Sequence, residues 1–296
     1  MRQLSLVVTC TDRKAAVPEA TLHARSLPVG SVKDRSAAWK ERVETASNTK
    51  PLSELYRGDH WTQSRRLAAA AEKARFEAEL WVASAGLGLQ SVSASAPAYA
   101  ATFSTRHADS VTASTADSAQ WWGHLQEGTG RKTLEELGRQ GPVLMVLSEV
   151  YANAMKAEIH ALASIGGEVL LVGGVEEIPG IQRVASNAGL RRTLGGTLTS
   201  LNVRMAASWL EHCEDGRLTS TATSDSWQRW ASDVAEPERY NRTPISDEDV
   251  MAFIKRENAS HPGISRSRLL RALRDGNQAC EQSRFANLYI RAMGER

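Results

Sequence analysis

Cysteine is scarce in this chain. Among 296 residues there are three, Cys10, Cys213 and Cys280, far apart and with no CxxC pair. A disulfide framework or a structural zinc site is therefore not expected, and each thiol reads as a small buried hydrophobe in a cytoplasmic protein. Long apolar runs are also missing. No stretch of about 18 apolar residues occurs, so neither a membrane span nor a membrane partner is expected. The apolar run LSLVVTC that follows Met1-Arg2-Gln3 is too short for a signal peptide and reads as a first buried strand. Several motifs are absent as well: GxxxxGK[ST], HExxH, GxSxG, and GxGxxG after a strand. The GLGL at 86–89 is too short for a dinucleotide fingerprint. Nucleotide hydrolases, zinc peptidases and ordinary dehydrogenases lose their signatures, and neither metal nor cofactor is expected.

What is present is an adequate core and an uneven charge. Apolar residues make up 42% of the chain, which argues against wholesale disorder. Net charge is only +2, yet residues 251–296 hold nine Lys/Arg against four acids, a surplus of five. The other 250 residues therefore carry −3. A basic segment attached to a near-neutral body suits a polyanionic partner.

Apolar runs near 4–10, 80–84, 143–148 and 168–173 read as strands. Helical patterns at 61–79, 119–139 and 151–165 lie between them. This alternation predicts an α/β domain over 1–213: a central, mostly parallel sheet with flanking helices. Residues 15–50 read as an irregular surface excursion punctuated by prolines, and 91–118 as a Ser/Ala/Thr-rich loop on the substrate side. Residues 214–242 read as a linker or peripheral segment, with Trp227 and Trp230 as local anchors.

Residues 243–296 predict three short helices. Ser246 and Asp249 have capping-box spacing. A second helix starts after Ser265 and stops at Gly276, and a third runs from Ala279 to Met293. The pattern fits a small all-α helix-turn-helix module. Its DNA-binding candidates are Arg266, Arg268, Gln282, Arg284, Asn287 and Arg291: guanidinium groups for phosphates, amides for base edges.

In a parallel sheet the ligand sits at the carboxyl ends of the strands. There the chain reads VVTCTDRK, then PLSELYRGDHW, then LWVASAGLGLQSV and PAYAATFS. This order resembles the superfamily of the peroxide-stress protein YaaA and its phage-borne relatives. It also resembles the uracil-DNA-glycosylase-like domain of archaeosine synthases. With the basic module appended, the chain is most similar to phage-defence DNA glycosylases that excise modified bases. Thr11-Asp12-Arg13 stands where the phage relatives carry small or basic residues. The resemblance implies a uracil-DNA-glycosylase-like fold and hydrolysis of an N-glycosidic bond in duplex DNA, with the modified base flipped out. No obligate protein partner is inferred.

Such chemistry passes through an oxocarbenium-like sugar, which a carboxylate stabilises, and the departing base needs a donor. Asp12 is the leading catalytic carboxylate, Asp109 its rival, and His107 a candidate donor. Thr11 and Arg13 flank Asp12. Ser84 and Gly86 allow close backbone approach, and Tyr99 is a stacking candidate for the flipped base. Ser148, Asn153 and Asn202 complete the substrate-binding set. Glu149 is a further carboxylate, and Glu54 and Tyr56 lie in the ELY segment. Two other functions compete: base exchange on tRNA or DNA in the same pocket, and a non-enzymatic regulator that senses a nucleotide and binds an operator. An enzyme needs a carboxylate in the pocket; a sensor needs only a complementary one.

Overall fold

The structure is a computed structural model that describes residues 1–128, 131–236 and 243–294. It divides into two compact units, residues 1–237 and 238–296, each with its own hydrophobic core. Among the described residues no helix is long and apolar enough to cross a membrane.

Among the described residues, the central sheet of the first unit has six strands: β1 (Arg2–Thr9), β2 (Phe76–Ser84), β3 (Gly88–Ser91), β4 (Val143–Leu147), β5 (Val169–Gly173) and β6 (Gln182–Val184). Their order across the sheet is β3-β2-β1-β4-β5-β6. All neighbours are parallel except the edge strand β3, which folds back antiparallel on β2. Strands covered on both faces need apolar residues at successive positions rather than alternate ones. Leu4, Leu6, Val7 and Val8 are accordingly buried, as is all of Val143–Leu147 and Val169–Gly173. The four expected strands are present and mutually parallel. The chain leaves β1 toward β2 on one side and reaches β4 on the other, so the order reverses at β1/β4. In an open α/β sheet this reversal opens a crevice at the carboxyl ends.

Helices α1 (Val32–Thr45), α2 (Asp59–Lys73), α3 (Thr115–Gln126), α4 (Leu134–Gln140), α5 (Glu149–Ala154), α6 (Lys156–Ser164), α7 (Leu198–Glu211) and α8 (Thr221–Val234) complete this unit, with shorter turns between them. Several boundaries differ from the sequence reading. The expected excursion at 15–50 contains α1, started by Ser31 accepting the Asp34 amide and anchored by the fully buried Trp39. The helix expected over 61–79 ends at Lys73, because Arg75 turns left-handed (φ 68°) and Phe76 begins pairing with Arg2. The single helix expected over 119–139 is two, the second opened by a Thr133–Glu136 capping box; residues 129–130 lie outside the described set. The segment 214–242, expected as a linker or a peripheral piece anchored by tryptophans, contains α8, whose Trp227 is buried 5.4 Å from Trp209. That helix belongs to the first unit, and residues 237–242 lie outside the described set.

The second unit consists of α9 (Asp247–Ser260), α10 (Arg266–Asp275) and α11 (Gln282–Met293), with Thr243–Pro244 paired in parallel to Gln278–Ala279. Val250, Ile254, Leu269, Leu273, Phe285 and Leu288 form its core. Ser246 caps α9 by accepting the Asp249 amide, and Ser265 caps α10, which stops before Gly276 as its sequence implies. Residues 295–296 of the expected module lie outside the described set.

Candidate active site

The loops after β1, β2 and β4 meet where the strand order reverses. Cys10 Sγ lies 3.1 Å from the Tyr151 hydroxyl and so ties the loop after β1 to α5, across the β1/β4 crevice. Lys14 sits on the same loop. Its Nζ donates to the Thr11 carbonyl at 2.7 Å and lies 4.3 Å from the centre of the Tyr99 ring and 5.7 Å from that of Tyr56. The backbone beneath it is pinned: Ala15 N donates to Leu55 O and Arg57 N to Arg13 O.

Under Lys14 lies a chain of buried hydroxyls. Ser84 Oγ accepts the Gly86 and Leu87 amides at 3.1 and 3.2 Å. An N–H can only donate, so these two bonds occupy the serine lone pairs. The Ser84 proton then goes to the Tyr99 oxygen at 2.5 Å, and the Tyr99 proton to Tyr56 at 2.7 Å. The Tyr56 proton is left at the end of the chain. Bonds aligned this way polarise one another.

Burial sets the electrostatics. It pushes the hydroxyls of Tyr56, Tyr99 and Tyr151 well above the usual phenol value, and the neighbouring Cys10 adds to the shift. All three therefore stay protonated. Burial lowers the Lys14 ammonium below its ordinary value, partly offset by Cys10 and Asp12. His60, whose Nε2 lies 3.1 Å from the Thr9 carbonyl, is also held below the usual imidazole range by burial.

The turn after β2 is clamped. Trp39 Nε1 donates to Gly86 O at 2.7 Å and Trp121 Nε1 to Ala85 O at 2.8 Å. Gly86 is required by close approach: a Cβ there would stand 2.6 Å from Tyr99 Cε2 and 3.3 Å from Trp39 Cζ2. The Tyr99 ring is held by its hydroxyl, which opposes its retreat. Gly86→Ala is expected to destabilise the first unit by about 1–3 kcal/mol through overpacking, read as a lower urea midpoint. An unchanged midpoint would mean that the ring relaxes.

The sequence candidates fare differently. Asp12 is exposed at the rim beside Lys14. Thr11 is buried and its Oγ1 donates to Arg13 O at 2.9 Å, while the Arg13 side chain is exposed. Ser84 and Gly86 are in the cluster. Tyr99 is there too, but fully buried with Lys14 over its face, so that face is not open for stacking. Ser148 and Glu149 are exposed at the start of α5. Asn153 lines a separate narrow cleft with Lys156, Leu171 and Ile178. Asn202 accepts Ser186 Oγ at 2.7 Å and reaches toward the Leu147 carbonyl at 3.4 Å, so it ties α7 to the end of β4.

Asp109 is buried, but its carboxylate accepts the Arg25 amide at 3.2 Å and lies 3.3 Å from His23 Nδ1 and 3.5 Å from Arg25 Nε. It secures the 23–25 segment. His107 is exposed, and its Nδ1 accepts the Asp109 amide at 3.0 Å. Both are loop anchors. Glu54 is exposed, whereas Tyr56 is central to the cluster. Cys10, Lys14 and Tyr151 were not among the candidates. Lys14 stands in the polar TDRK loop, and Tyr151 between two residues that were chosen.

In the second unit Arg266, Arg268, Gln282, Asn287 and Arg291 are exposed. Arg284 is not free: its Nε donates to Asp247 Oδ1 at 2.7 Å and its guanidinium also to Ile245 O at 2.8 Å. It fastens α11 to the start of α9.

A cleft of about 730 Å³ lies between α2 and α7, lined by Gln63, Arg66, Lys73, Arg75 and Arg204 among others. Lys73 and Arg75 lead into the start of β2, so this cleft is toward the opposite end of the strands. Among the described residues no group of three or more His, Cys, Asp or Glu side chains is placed to hold a metal ion. No family model, curated protein or solved structure matches the chain.

Proposed function

We propose that this chain is a DNA glycosylase that excises a modified base from phage DNA by hydrolysing the N-glycosidic bond and leaving an abasic site. The reading includes a uracil-DNA-glycosylase-like fold for the first unit and a helix-turn-helix role for the second. One observation carries it. The connections after β1, β3 and β4 bring a carboxylate (Asp12), a shielded amine (Lys14) and three buried tyrosine hydroxyls (Tyr56, Tyr99 and Tyr151) together beside the crevice where the strand order reverses.

Loss of a base leaves positive charge on the sugar and negative charge on the leaving group. Asp12 suits the first, and Lys14 in its protonated form the second, its proton passing to the departing base and leaving a neutral amine. Fixed charges in a partly dry site stabilise a transition state better than water does. A sensor has no need of a shielded amine beside a carboxylate, so the cluster favours an enzyme over a regulator. The second unit contributes Arg266, Arg268 and Arg271, all exposed on α10, for phosphate contacts.

The test incubates the purified chain with duplexes bearing different modified bases. Free base is measured by mass spectrometry and abasic sites by alkali cleavage. Base release is expected, together with strands that do not survive alkali intact. Incorporation of a new base with alkali-stable strands would replace hydrolysis by base exchange. No released base from any duplex would remove both.

A further inference from the structure

We propose that Lys14 is a nucleophile toward the C1′ aldehyde of an abasic deoxyribose, making the protein a strand-cleaving lyase as well. The proposal rests on the glycosylase reading for its biological substrate, but its chemistry is testable without it.

An amine attacks a carbonyl only through its lone pair, so a nucleophilic lysine is desolvated and lacks a permanent carboxylate partner. Lys14 meets these conditions. Its single hydrogen-bond acceptor among the described residues is the neutral Thr11 carbonyl, and tyrosine rings lie beneath it. The other shielded or paired lysines are committed elsewhere: Lys40 donates to the His124 and Glu127 carbonyls, and Lys156 pairs with Glu176. The pairing of the Lys14 backbone with Leu55–Arg57 fixes where the amine is presented. Burial also makes the neutral amine more accessible than in a free lysine.

The step balances without an oxidant. The ring-opened sugar presents its aldehyde, and Nζ forms the N–C1′ bond while the carbonyl oxygen takes a proton. Loss of water gives a protonated imine. A base, for which Asp12 is adjacent, removes a C2′ proton, and the C3′–O bond breaks with its electron pair leaving on the 3′ phosphate. Water then hydrolyses the imine and restores the amine.

The experiment uses the full chain and a duplex carrying one preformed abasic site, with sodium cyanoborohydride to reduce any imine. A covalent protein–DNA adduct mapping by peptide mass spectrometry to Lys14 is expected. Lys14→Arg, which keeps the charge, should lower its yield at least tenfold, while Lys40→Arg should not. Trapping should rise with pH, with its inflection below the ordinary lysine value; the groups facing the amine are Cys10, Asp12, Tyr56 and Tyr99. No adduct, an adduct on other lysines, or an undiminished yield in Lys14→Arg overturns the proposal. Peptide mapping of the wild-type adduct decides the matter even if the variant misfolds. Base release without a Lys14 adduct refutes the lyase step and leaves the glycosylase. A Lys14 adduct without base release from any modified duplex does the reverse.

Discussion

Asp12→Asn is expected to slow base release by about 10²–10⁴-fold, the range for a lost acid–base group. The substitution keeps the size and hydrogen-bonding reach of the side chain and removes only its charge. That charge matters when the sugar becomes cationic, so affinity for the intact duplex should change little. Single-turnover base release and equilibrium binding on the same duplex separate the two effects. Asp12 is exposed, so the fold should tolerate the change. Full activity in the variant would remove Asp12 from the mechanism. Asp109 would not inherit the role, because its carboxylate is already engaged by His23 and Arg25.

Phe285→Ala should unfold the second unit while the first stays folded. Phe285 is fully buried in a core of few residues. Deleting such a ring costs about 3–5 kcal/mol, comparable to the whole stability of a domain this small. Hydrogen exchange should show lost protection in residues 243–294 and retained protection in β1, β4 and β5. If the arginines of α10 contact phosphates, DNA affinity should fall and its salt dependence should flatten, since fewer counterions are released. A second unit still protected from exchange would show that its core tolerates the cavity. Unchanged affinity and salt slope with the unit unfolded would remove it from DNA binding.

The parts of the fold that were legible in the sequence are those whose signal is local. β1, β4 and β5 are short apolar runs, and strands buried on both faces require such runs. The limits of α10 were legible because Ser265 and Gly276 are chemically suited to end a helix. The α2–β2 boundary was hidden because AEKARFEAE has helix-forming composition, and pairing with β1 overrides that preference. Helix α1 was missed because its burial rests largely on Trp39 rather than on a repeating stripe.

The site was legible only as a location. Its members depend on which strands are neighbours, and strand order is a non-local property. Once β1 lies between β2 and β4, Cys10 meets Tyr151, 141 positions away in the chain. Read alone, Cys10 is a small hydrophobe and Lys14 one cation among many. Arg284 shows the converse: a basic residue on a basic helix looked available for phosphate until the fold gave it Asp247.

The two indoles that hold the turn after β2 have an optical consequence. Trp39 and Trp121 come from α1 and α3 and grip consecutive carbonyls, so the turn carries two intrinsic fluorophores in direct contact with its backbone. Indole emission depends on the polarity and hydrogen bonding around the ring nitrogen. A ligand that shifts Ala85 or Gly86 should therefore change the emission of these two indoles against that of the other six tryptophans, a signal that needs neither dye nor label.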